Sequence, residues 1–174
     1  MVTSSLTDAQ LFWNKSFPEG RYELTLEGQP LAWLLHGEYW SAESQARFGE
    51  HVWLFRRPGS ASGQTEVVEG DNPAPLACYK SHWGGGTLTF SEGNRYLLSC
   101  TGIWHHLWTL LDSTGDVVLR VEPKTRKVVV SQGPALLTPG DDRDRLLLLV
   151  VFVWHEILQA RDEAEMVANM SAMS

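Results

Sequence analysis

Between residues 20 and 133 the apolar positions come in short runs, broken by turn-forming residues about every ten positions. That spacing predicts a many-stranded antiparallel sheet, stacked or closed on itself. Residues 21 to 26 alternate, with Tyr22, Leu24 and Leu26 on one face, and Glu27-Gly28 turns the chain into a second run at 31 to 35. Gly49 precedes a strand expected at 51 to 55. Residues 57 to 75 are rich in Gly, Pro and Ser and predict a loop around a short strand near 66 to 68. Further strands are expected at 76–81, 86–90, 95–100, 104–111, 117–121 and 127–131, with residues 91–94, 112–115 and 122–125 as hairpin turns. A meander is the simplest way to join them. Residues 103 to 111 are apolar on both parities, which predicts a strand covered on both faces.

The pattern changes at residue 141. In DDRDRLLLLVVFVWHEILQARDEAE, residues 141 to 165, the thirteen positions from Leu146 to Leu158 hold only two polar residues, His155 and Glu156. Thirteen helical residues span roughly 20 Å, well short of the ~30 Å a membrane-spanning helix must cross. An interfacial helix should carry one apolar and one basic face. Here Leu146 to Trp154 is apolar all round and both flanks are acidic. A helix apolar on every side is one surrounded by protein. The expected fold is therefore mainly β with one C-terminal helix: an antiparallel barrel of about twelve strands wrapped around a central hydrophobic helix at about 142–160. Residues 1–19 are expected to form an N-terminal segment and 20–170 a single barrel domain. Asp141 or Asp142 would cap the helix. The competing architecture is a sandwich whose terminal helix docks on a partner.

Composition narrows the function. The 174 residues are 43% hydrophobic and 20% charged, as in an ordinary globular chain, and eight tryptophans spread from 13 to 154 argue for one folded unit. A net charge of -7 excludes a general nucleic-acid binder. The first residues show no basic segment followed by an apolar run, so a cytoplasmic location is the expectation. Cys78 and Cys100 are then read as small buried apolar residues rather than a disulfide.

Few residues suggest chemistry. Cys78-x3-His82 and Cys100-x4-His105, with His106 adjacent, contain zinc-type donors, but the spacing is looser than in structural zinc pairs. No metal or other cofactor is expected. Asp112-Ser113-Thr114-Gly115 carries one residue too many for an aspartic-protease Asp-Thr-Gly and reads as a hairpin turn. Trp83-Gly84-Gly85-Gly86 lacks the Lys-Ser/Thr and following helix of a phosphate cradle and reads as a flexible connection. Arg56 and Arg57, together with Lys124, Arg126 and Lys127, flank turns where they could meet an anionic lipid headgroup or phosphate. His155 and Glu156 point about 100° apart, so both cannot avoid the core. They are read as structural, with a general acid-base pair as the alternative.

The hairpin YLLSCTGIWHHLWTLLDSTGDVVLRVEP and the terminal RLLLLVVFVWHEIL resemble the tubby C-terminal-like superfamily, which includes tubby domains, LURP-one-related proteins and phospholipid scramblases. The resemblance covers most of residues 20 to 160 and implies a twelve-stranded barrel enclosing the helix. The chain lacks the tubby C-terminal signature and the cysteine-rich and calcium-binding segments of scramblases, so the resemblance does not imply lipid binding or transport. The expected function is a non-enzymatic binding or scaffolding domain, its partner a protein or an anionic lipid headgroup. The alternatives are a phosphoinositide-interacting membrane-surface module and a small metalloprotein or enzyme.

Overall fold

The computed structural model describes residues 9–16, 20–37, 43–59, 63–102 and 106–174. Twelve strands close into one antiparallel barrel: β1 (Ala9–Ser16), β2 (Arg21–Leu26), β3 (Gln29–Leu35), β4 (Glu43–Phe48), β5 (His51–Arg56), β6 (Gln64–Glu69), β7 (Ala77–His82), β8 (Gly85–Phe90), β9 (Arg95–Thr101), β10 (Leu107–Leu111), β11 (Val117–Glu122) and β12 (Lys127–Val130). Each pairs with its neighbours in sequence, and β1 pairs with β12 to close the ring. A short 3-10 helix, Gly133–Leu137, then leads into α1, Asp141–Ala172.

The period-2 pattern sets which side chains enter. Leu11 and Trp13, Tyr22 and Leu24, Trp53 and Phe55, Leu88 and Phe90, Trp108 and Leu110, and Val128 and Val130 all fill the interior. Fourteen consecutive residues of α1, Leu146 to Gln159, are buried among them. The helix touches opposite walls at once. Trp154 stacks on Trp13 at 5.5 Å and meets Tyr22 edge-on at 5.8 Å, while Phe152 meets Tyr79 at 5.2 Å and His155 stacks on Phe55 at 4.9 Å. A sandwich cannot surround a helix in this way, so the barrel is the architecture.

Several expectations are corrected. Strand β1 lies inside the segment 1–19 that the pattern set apart, and it is one of the two strands that seal the ring. The helix continues to Ala172 rather than ending near 160, thirteen residues beyond its buried part. Its N-cap is Gly140, at φ 153°, a conformation open to glycine, and no side chain caps it. Asp141, Asp142 and Asp144 sit in the first turn, where they face the positive end of the helix dipole. The Trp83-Gly84 stretch is a tight turn between paired His82 and Gly85 rather than a loose connection. Gly86 then faces inward, where a Cβ would stand 2.3 Å from the Tyr79 ring. Strand β10 begins at Leu107; residues 103–105 lie outside the described residues. Its inward positions, Trp108 and Leu110, are buried and its outward Leu107 and Leu111 are half-buried, so the second face is covered only in part.

Candidate functional site

The register gives the barrel two rims. The lower rim carries the starts of β1, β3 and β5, and the upper rim carries their ends. Helix α1 enters at the lower rim and leaves at the upper one, where a set of polar groups surrounds it.

His36, just past β3, donates from Nε2 to Asp162 of α1 at 2.7 Å. A carboxylate only accepts, so Nε2 carries the proton and Nδ1 is left as acceptor. The Ser44 hydroxyl of β4 donates to that Nδ1 at 3.4 Å and accepts the Gly37 backbone N–H at 3.0 Å. Burial lowers the His36 pKa below the usual histidine value, the hydrogen bond to Asp162 opposing it and the nearby His155 adding to it. Ser44, His36 and Asp162 thus have the order of a nucleophile, base and orienting acid. The geometry serves another purpose. Ser44 is 3% exposed and its oxygen is already occupied by Gly37, so the three groups clasp the departing helix to β3 and β4.

Two turns deeper along α1, His155 donates from Nδ1 to Glu156 Oε1 at 3.3 Å and accepts the Gln159 amide at 3.5 Å. Thr65 of β6 donates to the same Glu156 oxygen at 2.9 Å. Charge buried in a low-dielectric core is tolerated when it is hydrogen-bonded in this way. His155 and Glu156 are therefore satisfied by Gln159 and Thr65, and both are buried. Tyr79 faces this carboxylate, and burial followed by the Glu156 charge pushes its phenol far above the usual range.

Among the described residues the weak zinc-type candidates do not converge. Cys78 alternates with buried Ala77 and Tyr79, so it points outward on β7, as does His82, and Gln64 donates to Cys78 Sγ at 2.8 Å. Cys100 packs inward against the core, its thiol pushed up to about 11 by burial, which leaves it a poor metal ligand at neutral pH. His105 lies outside the described residues. Among the described residues no three His, Cys, Asp or Glu groups stand together as a metal site.

The basic residues share the upper rim but not one place on it. The β5–β6 connection holding Arg57 and the β11–β12 turn holding Lys124 and Arg126 are six strands apart in a ring of twelve, on opposite sides of the emerging helix. Arg56 donates to Glu43 and Arg57 to Glu163 of α1, each at 2.7 Å, so both are engaged with acids. Lys124, Arg126 and Lys127 show no ion pair among the described residues. Trp83, on the β7–β8 turn of this rim, is fully exposed. Beyond the rim, α1 and its C-cap hold Val167, Met170 and Met173 in solvent.

The sequence pattern missed His36, Ser44 and Asp162 as a group. They are 8 and 126 residues apart along the chain, in no motif, and meet only because α1 leaves the barrel beside the end of β3. No helix among the described residues is long and apolar enough to cross a membrane. No protein family, curated protein or solved structure matches this chain.

Proposed function

We propose that this chain is a non-enzymatic binding or scaffolding module that works from its outer surface. The observation that carries the reading is the filled interior: fourteen consecutive helix residues occupy the space in which a barrel of other design would hold a ligand. The side chains of His155, Glu156, Gln159 and Asp162 are spent on one another and on Thr65 and His36. What remains available is the upper rim, where exposed Trp83 and the projecting apolar residues Val167, Met170 and Met173 supply the kind of surface that partners cover. The resemblance to the tubby C-terminal-like superfamily belongs to the same reading, and the enclosed helix supports it.

A second reading makes the partner an anionic lipid headgroup. Lys124, Arg126 and Lys127 favour it: they lie together without ion pairs among the described residues, on the same rim as an exposed tryptophan, a side chain suited to the membrane interface. Co-sedimentation with vesicles of neutral lipid, with and without phosphoinositides, tests it. Binding to the anionic vesicles that is lost on changing Lys124, Arg126 and Lys127 to Ala supports the lipid partner. No binding even at low salt removes that reading and leaves a protein partner, sought by photocrosslinking from position 83. A small-molecule ligand or turnover that depends on His155 or Glu156 would overturn the surface module altogether.

A further inference from the structure

At the opposite end from the proposed binding rim, His51 opens β5 and stands between two carboxylates. Its Nδ1 lies 2.6 Å from Glu69 Oε1 on β6 and its Nε2 lies 3.0 Å from Asp144 Oδ2 in the first turn of α1. Both partners are acceptors, so both ring nitrogens must carry protons, and only the imidazolium does so. The ring is held on its faces as well, stacked between Phe48 at 6.3 Å and Trp53 at 5.8 Å. Other charged groups at this end include Arg143, whose guanidinium lies 5.0 Å over the Phe48 ring, Arg145, which pairs with Glu92, Glu50 on the β4–β5 turn, Asp71 just past β6, and Asp141 and Asp142.

We propose that the Glu69, His51 and Asp144 bridge is a proton-dependent clasp that fastens the lower end of the central helix to the barrel wall and opens as the pH rises. Neutral histidine has one N–H. It can keep one carboxylate, and its other nitrogen then turns a lone pair toward the second, which is repulsive. The shorter contact, to Glu69 within the wall, is the one retained, and Asp144 is released. Residues 141–145 precede the buried stretch, so this end of α1 can loosen while Leu146 to Gln159 stay in place. The direction of titration agrees: the hydrogen bond to Glu69 raises the His51 pKa, burial opposes it, and Asp144 raises it further. A raised folded-state pKa contributes stability that is fully present below the unfolded value of 6.5 and is lost as pH rises through the folded value.

Nuclear magnetic resonance on the full chain tests this. Both ring nitrogens of His51 should be protonated at pH 6.5, and the ring should titrate above that value. Amide exchange at Arg145, Leu146 and Leu147, corrected for the intrinsic pH dependence of exchange, should accelerate several-fold as His51 loses its proton. In Asp144→Asn the His51 titration should move down and the exchange should already be fast below the transition. His51→Gln should remove the pH response; should that variant not fold, Asp144→Asn alone carries the test. A His51 that titrates at or below 6.5, or a corrected exchange rate that stays constant across its titration, overturns the proposal.

Discussion

Trp13 and Trp154 stack at 5.5 Å and 13° from parallel, one on the first strand of the barrel and the other on the helix that fills it. The contact joins the two ends of the folding problem. Strand β1 has both edges paired only once β12 has returned to it, and the helix follows β12 in the chain.

Trp154→Ala is therefore expected to destabilise the protein by about 3–5 kcal/mol, the usual range for removing a large buried aromatic side chain. Urea unfolding followed by circular dichroism measures it. A loss under 1 kcal/mol, at the level of a surface substitution, would mean that the helix is not held by this wall.

The helix is also the barrel's core, so its removal should differ from its shortening. A chain ending at Gly140 loses the buried residues Leu146 to Gln159 and is expected to aggregate. A chain ending at Glu165 keeps them, together with Asp162 and Glu163, and should remain folded with a similar thermal midpoint. Size-exclusion chromatography and thermal denaturation separate the two. A monomeric folded product from the first truncation would contradict the central-helix architecture.

Gly86 faces inward under Tyr79, and an added Cβ would meet the ring at 2.3 Å. Gly86→Ala should cost about 1–3 kcal/mol through overpacking. Combined with Tyr79→Leu, which vacates that space, it should cost less than the two single changes added together. Additive losses would show that the two sites do not touch.

Acid should act at the upper rim. The folded-state pKa of His36 is lowered, so the stability it contributes is fully present above its unfolded value of 6.5 and is lost as pH falls from there toward the folded value. His36→Gln removes that titration and should flatten the acid side of the stability curve relative to the wild-type chain. Denaturant titrations on both sides of pH 6.5 provide the comparison. A parallel pair of curves would rule out His36 as the source.

Much of the fold was legible because period 2 and period 3.6 are local signals. The hairpin turns at 91–94, 112–115 and 122–125 announced themselves by composition, and the all-round apolar run from Leu146 marked a helix enclosed by protein. Strands β1 and β4 were harder to read. In β1 the inward residues are Leu11 and Trp13, and the outward Phe12 blurs the alternation. In β4 the inward residues are Ser44 and Ala46, too small or polar to look like a core face. The donors Cys78 and Cys100 looked alike in sequence, yet β7 turns one outward and β9 turns the other inward.

The apolar pattern alone makes the chain mainly β, its last long apolar segment an interior helix, and that segment too short to span a bilayer. Those properties follow from burial period and length. It takes the folded barrel to show that the first strand seals the ring, that Arg57 is tied to Glu163 while Lys124, Arg126 and Lys127 stand apart, and that His36 and His51 hold opposite ends of one helix through Asp162 and Asp144. Such pairings join residues about a hundred positions apart. They depend on the direction in which the helix threads the barrel, and no local pattern of apolar and polar residues records that direction.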